Sequence, residues 1–390
     1  MSAWPIAKVR GQESFLLNTR SAELAVTALG GMLGPVTFFP GTDTPIMPYA
    51  VAPWAEEPVP ADTPVVLRCL RGDWFCSAFG ANEDVHTGTR LPLHGETANR
   101  RWAFEAGQTT SIGSWLRLGV DLPLQGGRCE ALTALIAGET VIYQRHDLSG
   151  LSGPINPGHH ATLSFPDQEG SGRLSFSPHI LARTYREPVE DSTSRGQSYL
   201  VRDSDIDDLS RARGVDGTTT DLCRYPARRG FEDIALICAD PSREYAWSAA
   251  TFTHDRYVWF AIRNTRHLSS TLLWFSNGGR YYPPWNRRHV NVMGIEDVTG
   301  YFAVGLTASC RTNALSTRGV RTCLYPGEGG RICVPYIQGI ARIPAEFDRL
   351  INMEFRSDAL KLIAESGASV VVSCRTDFLR TGSLEKLPFN

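Results

Sequence analysis

The chain has 390 residues, a formal net charge of −2, 42% hydrophobic residues and 21% charged residues. That balance excludes a general electrostatic pull toward nucleic acid or an anionic membrane, and it supplies enough apolar material for a sizeable core. No apolar run approaches the ~20 residues needed to span a bilayer. The opening MSAWPIAKVR lacks the apolar stretch of a secretory leader, so the expected location is the cytoplasm.

Taken in chain order, the dominant pattern is short strand. ELAVTALGG (23–31) alternates, with Leu24, Val26 and Ala28 on one side, and two glycines close it. TALIAGETVIYQRHDL (133–148) places two apolar runs around an Ala-Gly-Glu turn, which predicts a hairpin. The segment 184–220 is charged and poor in apolar residues and reads as a long surface excursion, a lid or an interface arm. DRYVWFAIRN (255–264) and STLLWFSNGG (270–279) are β-branched and aromatic, as buried strands are. SDALKLIAESG (357–367) fits a short helix or a strand equally well, and ASVVVSC (368–374) reads as a buried strand. With 36 glycines and 24 prolines spread throughout, turns are frequent. The expectation is one large all-β domain over 1–390, an antiparallel two-sheet β-sandwich with few short helices.

The nine cysteines are scattered and contain no CxxC. A structural zinc site is therefore not expected, and the thiols read as small buried hydrophobes in a reducing compartment.

Four stretches are unusually polar. LPLHGETANRRW (91–102) carries His94, Glu96, Arg100 and Arg101. GPINPGHHATLSF (153–165) carries His159 and His160, which must face opposite ways if extended. LLWFSNGGRYYPPWNRRH (272–289) combines Trp274, Tyr281, Tyr282 and Trp285 with Asn277 and Arg280. Aromatic rings beside amide and guanidinium groups suit a sugar, whose C–H face packs on a ring while its hydroxyls seek polar partners. Arg280, Arg287 and Arg288 point to an anionic or extended ligand, although Arg287 and Arg288 also read as solvated. In VNVMGIEDVTGYF (290–302), Glu296 follows an apolar run; pointing inward, it would be a desolvated carboxylate of raised basicity. There is no Walker loop, no GxGxxG after a strand and no GxSxG elbow. GEGGR (327–331) precedes a strand rather than a helix and is discounted as a phosphate cradle.

In their order, these stretches resemble the aldose 1-epimerase (galactose mutarotase-like) superfamily, over about residues 20 to 380. AELAVTALGGMLGPVTF resembles that family's opening hairpin. LRGDWFCSAFGAN followed by LPLHGETANRRW resembles its His-Gly…Arg…Trp segment. NPGHHATLSF resembles the segment supplying its acid histidine, and WFSNGGRYYPP…GIEDVTGYF resembles the Gly-Ile/Leu-Glu-Pro segment supplying its base. Four positions in three places depart from that pattern. Asp297 stands where the family has proline, His159 where it has asparagine, and Glu96-Thr97 where it has Phe-Ala. The resemblance implies a galactose mutarotase-like supersandwich, no cofactor and no metal. It implies Glu296 as base and His160 as acid in the interconversion of sugar anomers. His94, Arg100, Trp274, Asn277, Arg280 and His159 would then line a carbohydrate site. The alternative is a non-catalytic carbohydrate-binding protein on the same fold. Oligomeric state is not legible.

Overall fold

The computed structural model describes residues 4–85 and 88–384. Two antiparallel sheets face each other. The nine-stranded sheet runs in the order Arg224–Tyr225, Gly172–Phe176, Tyr245–Phe252, Tyr257–Asn264, Ile332–Arg342, Val141–Ser149, Arg128–Ile136, Gly113–Asp121, Ala103–Thr109. The six-stranded sheet runs His179–Thr184, Glu232–Ala239, Ser270–Ser276, Val292–Val298, Gly158–Ser164, Phe75–Cys76. A four-stranded meander from Ile6 to Phe38 and a three-stranded one from Leu350 to Ser373 flank them. The α-helices are short: Val65–Arg68, Leu306–Cys310 and Phe378–Thr381. No helix among the described residues is long and apolar enough to cross a membrane.

The period-2 alternation of a strand decides what goes where. In Tyr257–Asn264, Tyr257, Trp259 and Ala261 enter the space between the two sheets, while Val258, Phe260 and Ile262 face the opposite side. That opposite side is covered by Leu350, Met353, Leu360 and Leu362 of the C-terminal meander and by Phe378 and Leu379 of the last helix. A strand covered on both sides must be apolar throughout, and this one is buried at every position. Each large apolar side chain buried in this way contributes about 1.5–3 kcal/mol.

The hairpin expected over 133–148 forms, as Arg128–Ile136 paired with Val141–Ser149. SDALKLIAESG resolves to a strand, Ala359–Ala364, because Phe355 and Val372 pair with Leu360 from either side. The reading of 368–374 as a buried strand is corrected: Ser369–Ser373 is the outer strand of the small meander, and only Val372 within it is buried. The 184–220 segment contains one short 3-10 turn, Leu209–Arg211, and a two-residue ladder, Ala212–Arg213 with Thr219–Thr220.

The six-stranded sheet positions the polar stretches. One of its faces, with Phe75, Ala161, Leu273 and Ile295, packs into the sandwich interior. The other, with Trp74, Cys76, Leu236, Leu272, Trp274 and Val298, lies under a cap of loops that contributes Trp54, Phe79, Trp285 and Phe302.

Candidate functional site

The strands Gly158–Ser164 and Val292–Val298 pair so that His160 stands directly opposite Glu296. Both side chains emerge on the capped face, and His160 Nε2 lies 3.2 Å from Glu296 Oε1. His160 Nδ1 is 3.3 Å from the Thr162 hydroxyl. Trp74 stacks on the imidazole with ring centres 3.9 Å apart, and Trp274 meets it edge-on at 5.8 Å. His94 approaches from the cap, its ring centre 5.0 Å from that of His160. The Gly80 N–H donates to His94 Nδ1 at 3.4 Å, which fixes the neutral tautomer with Nε2 protonated. Gly294 is required beside this pair, since a Cβ there would run into the Glu296 carboxylate and the Trp274 Cβ.

Burial sets the electrostatics. Glu296 is 2% exposed and His160 4%. Loss of water pushes the Glu296 carboxyl well up, against a downward pull from Arg280. The same loss pushes His160 well down, helped by His94 and His289. Burial likewise lowers His94 to about 3. Burial thus favours the neutral acid and the neutral imidazole over the charged forms of the His160–Glu296 pair. Moving the proton from Oε1 to Nε2 converts it into carboxylate and imidazolium without any proton entering or leaving.

A second ring of groups frames this pair. Arg280 Nε bonds Glu190 Oε1 at 2.7 Å, and its Nη1 lies 3.8 Å from Glu232 Oε2. Its guanidinium lies over Trp285 at 4.4 Å and Trp274 at 5.3 Å. Glu232 accepts from Trp274 Nε1 at 2.9 Å and from the Ser276 hydroxyl at 3.0 Å. Burial raises Glu232 to about 7, against the pull of Arg280 and these donors. His289 stacks on Trp274 at 5.4 Å and contacts Ser276 Oγ at 2.7 Å through Nδ1. Glu190 and Arg195 bring the 184–220 excursion over this rim, with Arg195 on the Tyr282 ring at 3.7 Å.

Of the sequence-derived candidates, His160, Glu296, His94, Trp274 and Arg280 come together. Three do not. His159 alternates to the sandwich interior, where its Nδ1 meets Asp73 at 2.9 Å and its ring stacks on Tyr336 at 3.9 Å. Arg100 is exposed and lies 3.6 Å from Glu96. Asn277 is spent on backbone, donating to the Ala227 carbonyl at 2.8 Å and accepting from Asn291 N–H at 3.0 Å. The arginines that suggested an anionic ligand are each engaged within the chain. Arg280 has its two carboxylates, Arg287 covers Tyr281 at 4.0 Å, and Arg288 pairs with Glu57 at 2.8 Å.

All three departures from the family pattern have structural work. Glu96 is 1% exposed and accepts the Leu124 and Gln125 N–H groups at 3.0 Å each, which fastens a neighbouring loop. Thr97 bridges the Phe75 carbonyl and the Ser77 N–H. Asp297 is bound by Arg263 at 2.6 Å, Thr271 at 2.7 Å and Tyr336 at 3.0 Å. Sequence reasoning did not single out Trp74, Glu190, Glu232 or His289. Trp74 was findable, because it sits two residues before Cys76 in a stretch already noted. Glu190 and Glu232 were not, since their partner Arg280 is distant in sequence.

The fold is an all-β supersandwich like that of galactose mutarotase-like structures. Three solved structures align with it. A galactose mutarotase-like protein from Clostridium acetobutylicum matches with a TM-score of 0.56 at 9% identity, covering 87% of this chain and 99% of its own. A protein from Klebsiella pneumoniae, provisionally named an aldose 1-epimerase, gives 0.56 at 15% identity, covering 86% and 80%. A galactose mutarotase related enzyme from Lactobacillus acidophilus gives 0.51 at 10% identity, covering 85% and 99%. No family model and no curated protein matches the sequence.

Proposed function

We propose that this protein interconverts the anomers of an aldose by acid–base chemistry at His160 and Glu296. The observation that carries the reading is the 3.2 Å contact between His160 Nε2 and Glu296 Oε1 under a cap of aromatic rings. The two oxygens that change protonation in mutarotation, the anomeric hydroxyl and the ring oxygen, share one carbon. An acid and a base side by side therefore suit them better than a pair set across a ring.

Starting from carboxylate and imidazolium, Glu296 takes the proton of the anomeric hydroxyl. The C1–O5 bond breaks as the C1 carbonyl forms, and His160 gives its Nε2 proton to O5. The pair is then neutral acid and neutral imidazole, the form that burial favours. Rotation about C1–C2 presents the other carbonyl face, and closure returns both protons to their starting sites. Trp74 and Trp274 would pack the sugar's C–H face, and His94, protonated at Nε2, would donate to a ring oxygen or hydroxyl. The step needs no cofactor. Neighbours named as mutarotase-like or epimerase-like support the reading. We place the protein in a reducing, cytoplasmic setting, which its nine unpaired cysteines fit. We read the chain as one domain because both large sheets draw strands from early and late in the sequence.

A second reading, a non-catalytic carbohydrate-binding protein, is favoured by one observation: His160 and Glu296 satisfy each other while almost fully buried. Anomer exchange followed by NMR on a panel of neutral aldoses, uronic acids and sugar phosphates separates the two. Exchange faster than buffer on one class is the expected result. Line broadening without acceleration on any member would establish the binding protein instead.

A further inference from the structure

The charged stretch that follows Thr184 crosses the rim of the site and is held there by few contacts. Its two ends are anchored through backbone. At one end the Tyr185 N–H donates to the Ile234 carbonyl and the Asp203 N–H to the Tyr185 carbonyl, each at 3.0 Å. At the other, the Tyr281 N–H donates to the Arg195 carbonyl at 2.8 Å and the Gln197 N–H to the Gly279 carbonyl at 3.1 Å. Between these anchors none of residues 186–194 is buried, and none joins the apolar clusters beneath. The hydrogen bonds of Asp191 stay local, reaching Thr193, Ser194, Arg195 and Gly196. Among the described residues, one side chain ties the stretch to the body. Glu190 Oε1 accepts from Arg280 Nε at 2.7 Å and from the Tyr282 hydroxyl at 2.8 Å. Arg280 in turn lies over Trp274, which meets the His160 ring edge-on. With the stretch in place, His160 and Glu296 are 4% and 2% exposed, too little for a sugar to reach both.

We propose that residues 186–194 are a strap that opens to admit substrate and closes over it, with Glu190 as the latch on Arg280 and Tyr282. The proposal rests on the reading of His160 and Glu296 as the reacting pair. A segment without buried apolar side chains opens locally at little cost in free energy, and the sheets beneath stay intact. Opening breaks the two hydrogen bonds to the Glu190 carboxylate and leaves Arg280 its contact with Glu232. Arg280 Nε and the Tyr282 hydroxyl, once released, are donors for sugar hydroxyls. Closure then excludes water from the proton transfers at the pair.

Cys76 is a native reporter of the site: it is 0% exposed, and its Sγ lies 3.6 Å from His94 Nδ1. Cys374, equally buried beneath the C-terminal meander, reports opening elsewhere. The full chain is labelled with methyl methanethiosulfonate, and each thiol is followed by peptide mass mapping. Glu190→Ala should raise the Cys76 labelling rate by about tenfold and leave that of Cys374 unchanged. Tyr282→Phe, which removes one of the two latch contacts, should give a smaller rise in the same direction. Amides of residues 187–194 should exchange hydrogen faster in Glu190→Ala, with those of 197–200 as in the native chain. An unchanged Cys76 rate in folded Glu190→Ala, or an equal rise at Cys374, would overturn the strap. Absence of catalysed anomer exchange in the native chain, with the Cys76 response present, would instead remove the mutarotase reading and leave the strap standing.

Discussion

Two neighbouring residue pairs on the same two strands have opposite fates. His159 and Asp297 face each other across the ladder, as do His160 and Glu296 one residue along. The first pair points between the sheets. There Asp297 has Arg263, Thr271 and Tyr336 as partners, and His159 has Asp73. The second pair points under the cap, where each group's nearest counter-group is the other. Both pairs are buried. The difference is in partners: the interior carboxylate is compensated by a guanidinium at 2.6 Å, while Glu296 has no such contact and its carboxyl rises. A buried carboxylate bound by a guanidinium is fixed in place, whereas one that faces only an imidazole is left able to share a proton with it.

The sharpest way to break this comparison is Glu296→Gln. If the capped pair is the reacting one, catalysed anomer exchange should fall by about 10²–10⁴-fold, with the folded state essentially as stable as before. Unchanged exchange in a folded variant would remove Glu296 as base. The interior pair should respond the other way. Asp297→Ala leaves Arg263 buried without its carboxylate and should cost about 3–5 kcal/mol of stability in urea unfolding. A loss below about 1 kcal/mol would mean that the interior network does not hold the sheets.

The smallest expected effect concerns Glu232, which lies under the cap beside Arg280. Its carboxyl has an ordinary value of 4.5 and stands at about 7 in the folded protein. Between those values the folded state keeps a proton that the unfolded chain has released. The stabilising contribution of that proton is therefore full below the ordinary value and fades as pH rises through about 7. Glu232→Gln should flatten the fall in stability over that window. An identical pH slope in variant and native protein would show that Glu232 does not carry the proton.

Much of this was legible from residue order alone. Adjacent histidines on a strand must face opposite ways, so His159 and His160 had to separate. An apolar run ending in Glu296 marked a carboxylate that would be desolvated if it pointed inward, and it is buried. Arg100 and Asn277 misled because their residue types suit sugars, while their side chains are taken up by Glu96 and by backbone groups. Glu96 itself stood out only as a departure from the family's Phe-Ala. It is a loop fastener, which only its contact with Leu124 and Gln125 reveals.

The sequence by itself determined the strand pattern, the alternation of faces and the ordered set of polar stretches, because these follow from the period-2 geometry of the chain and from local turn chemistry. The tertiary structure decided which polar residues share a site. Partners such as Glu190, Glu232 and Arg280 meet only after distant segments pack, and burial and counter-charge then set what each group can do.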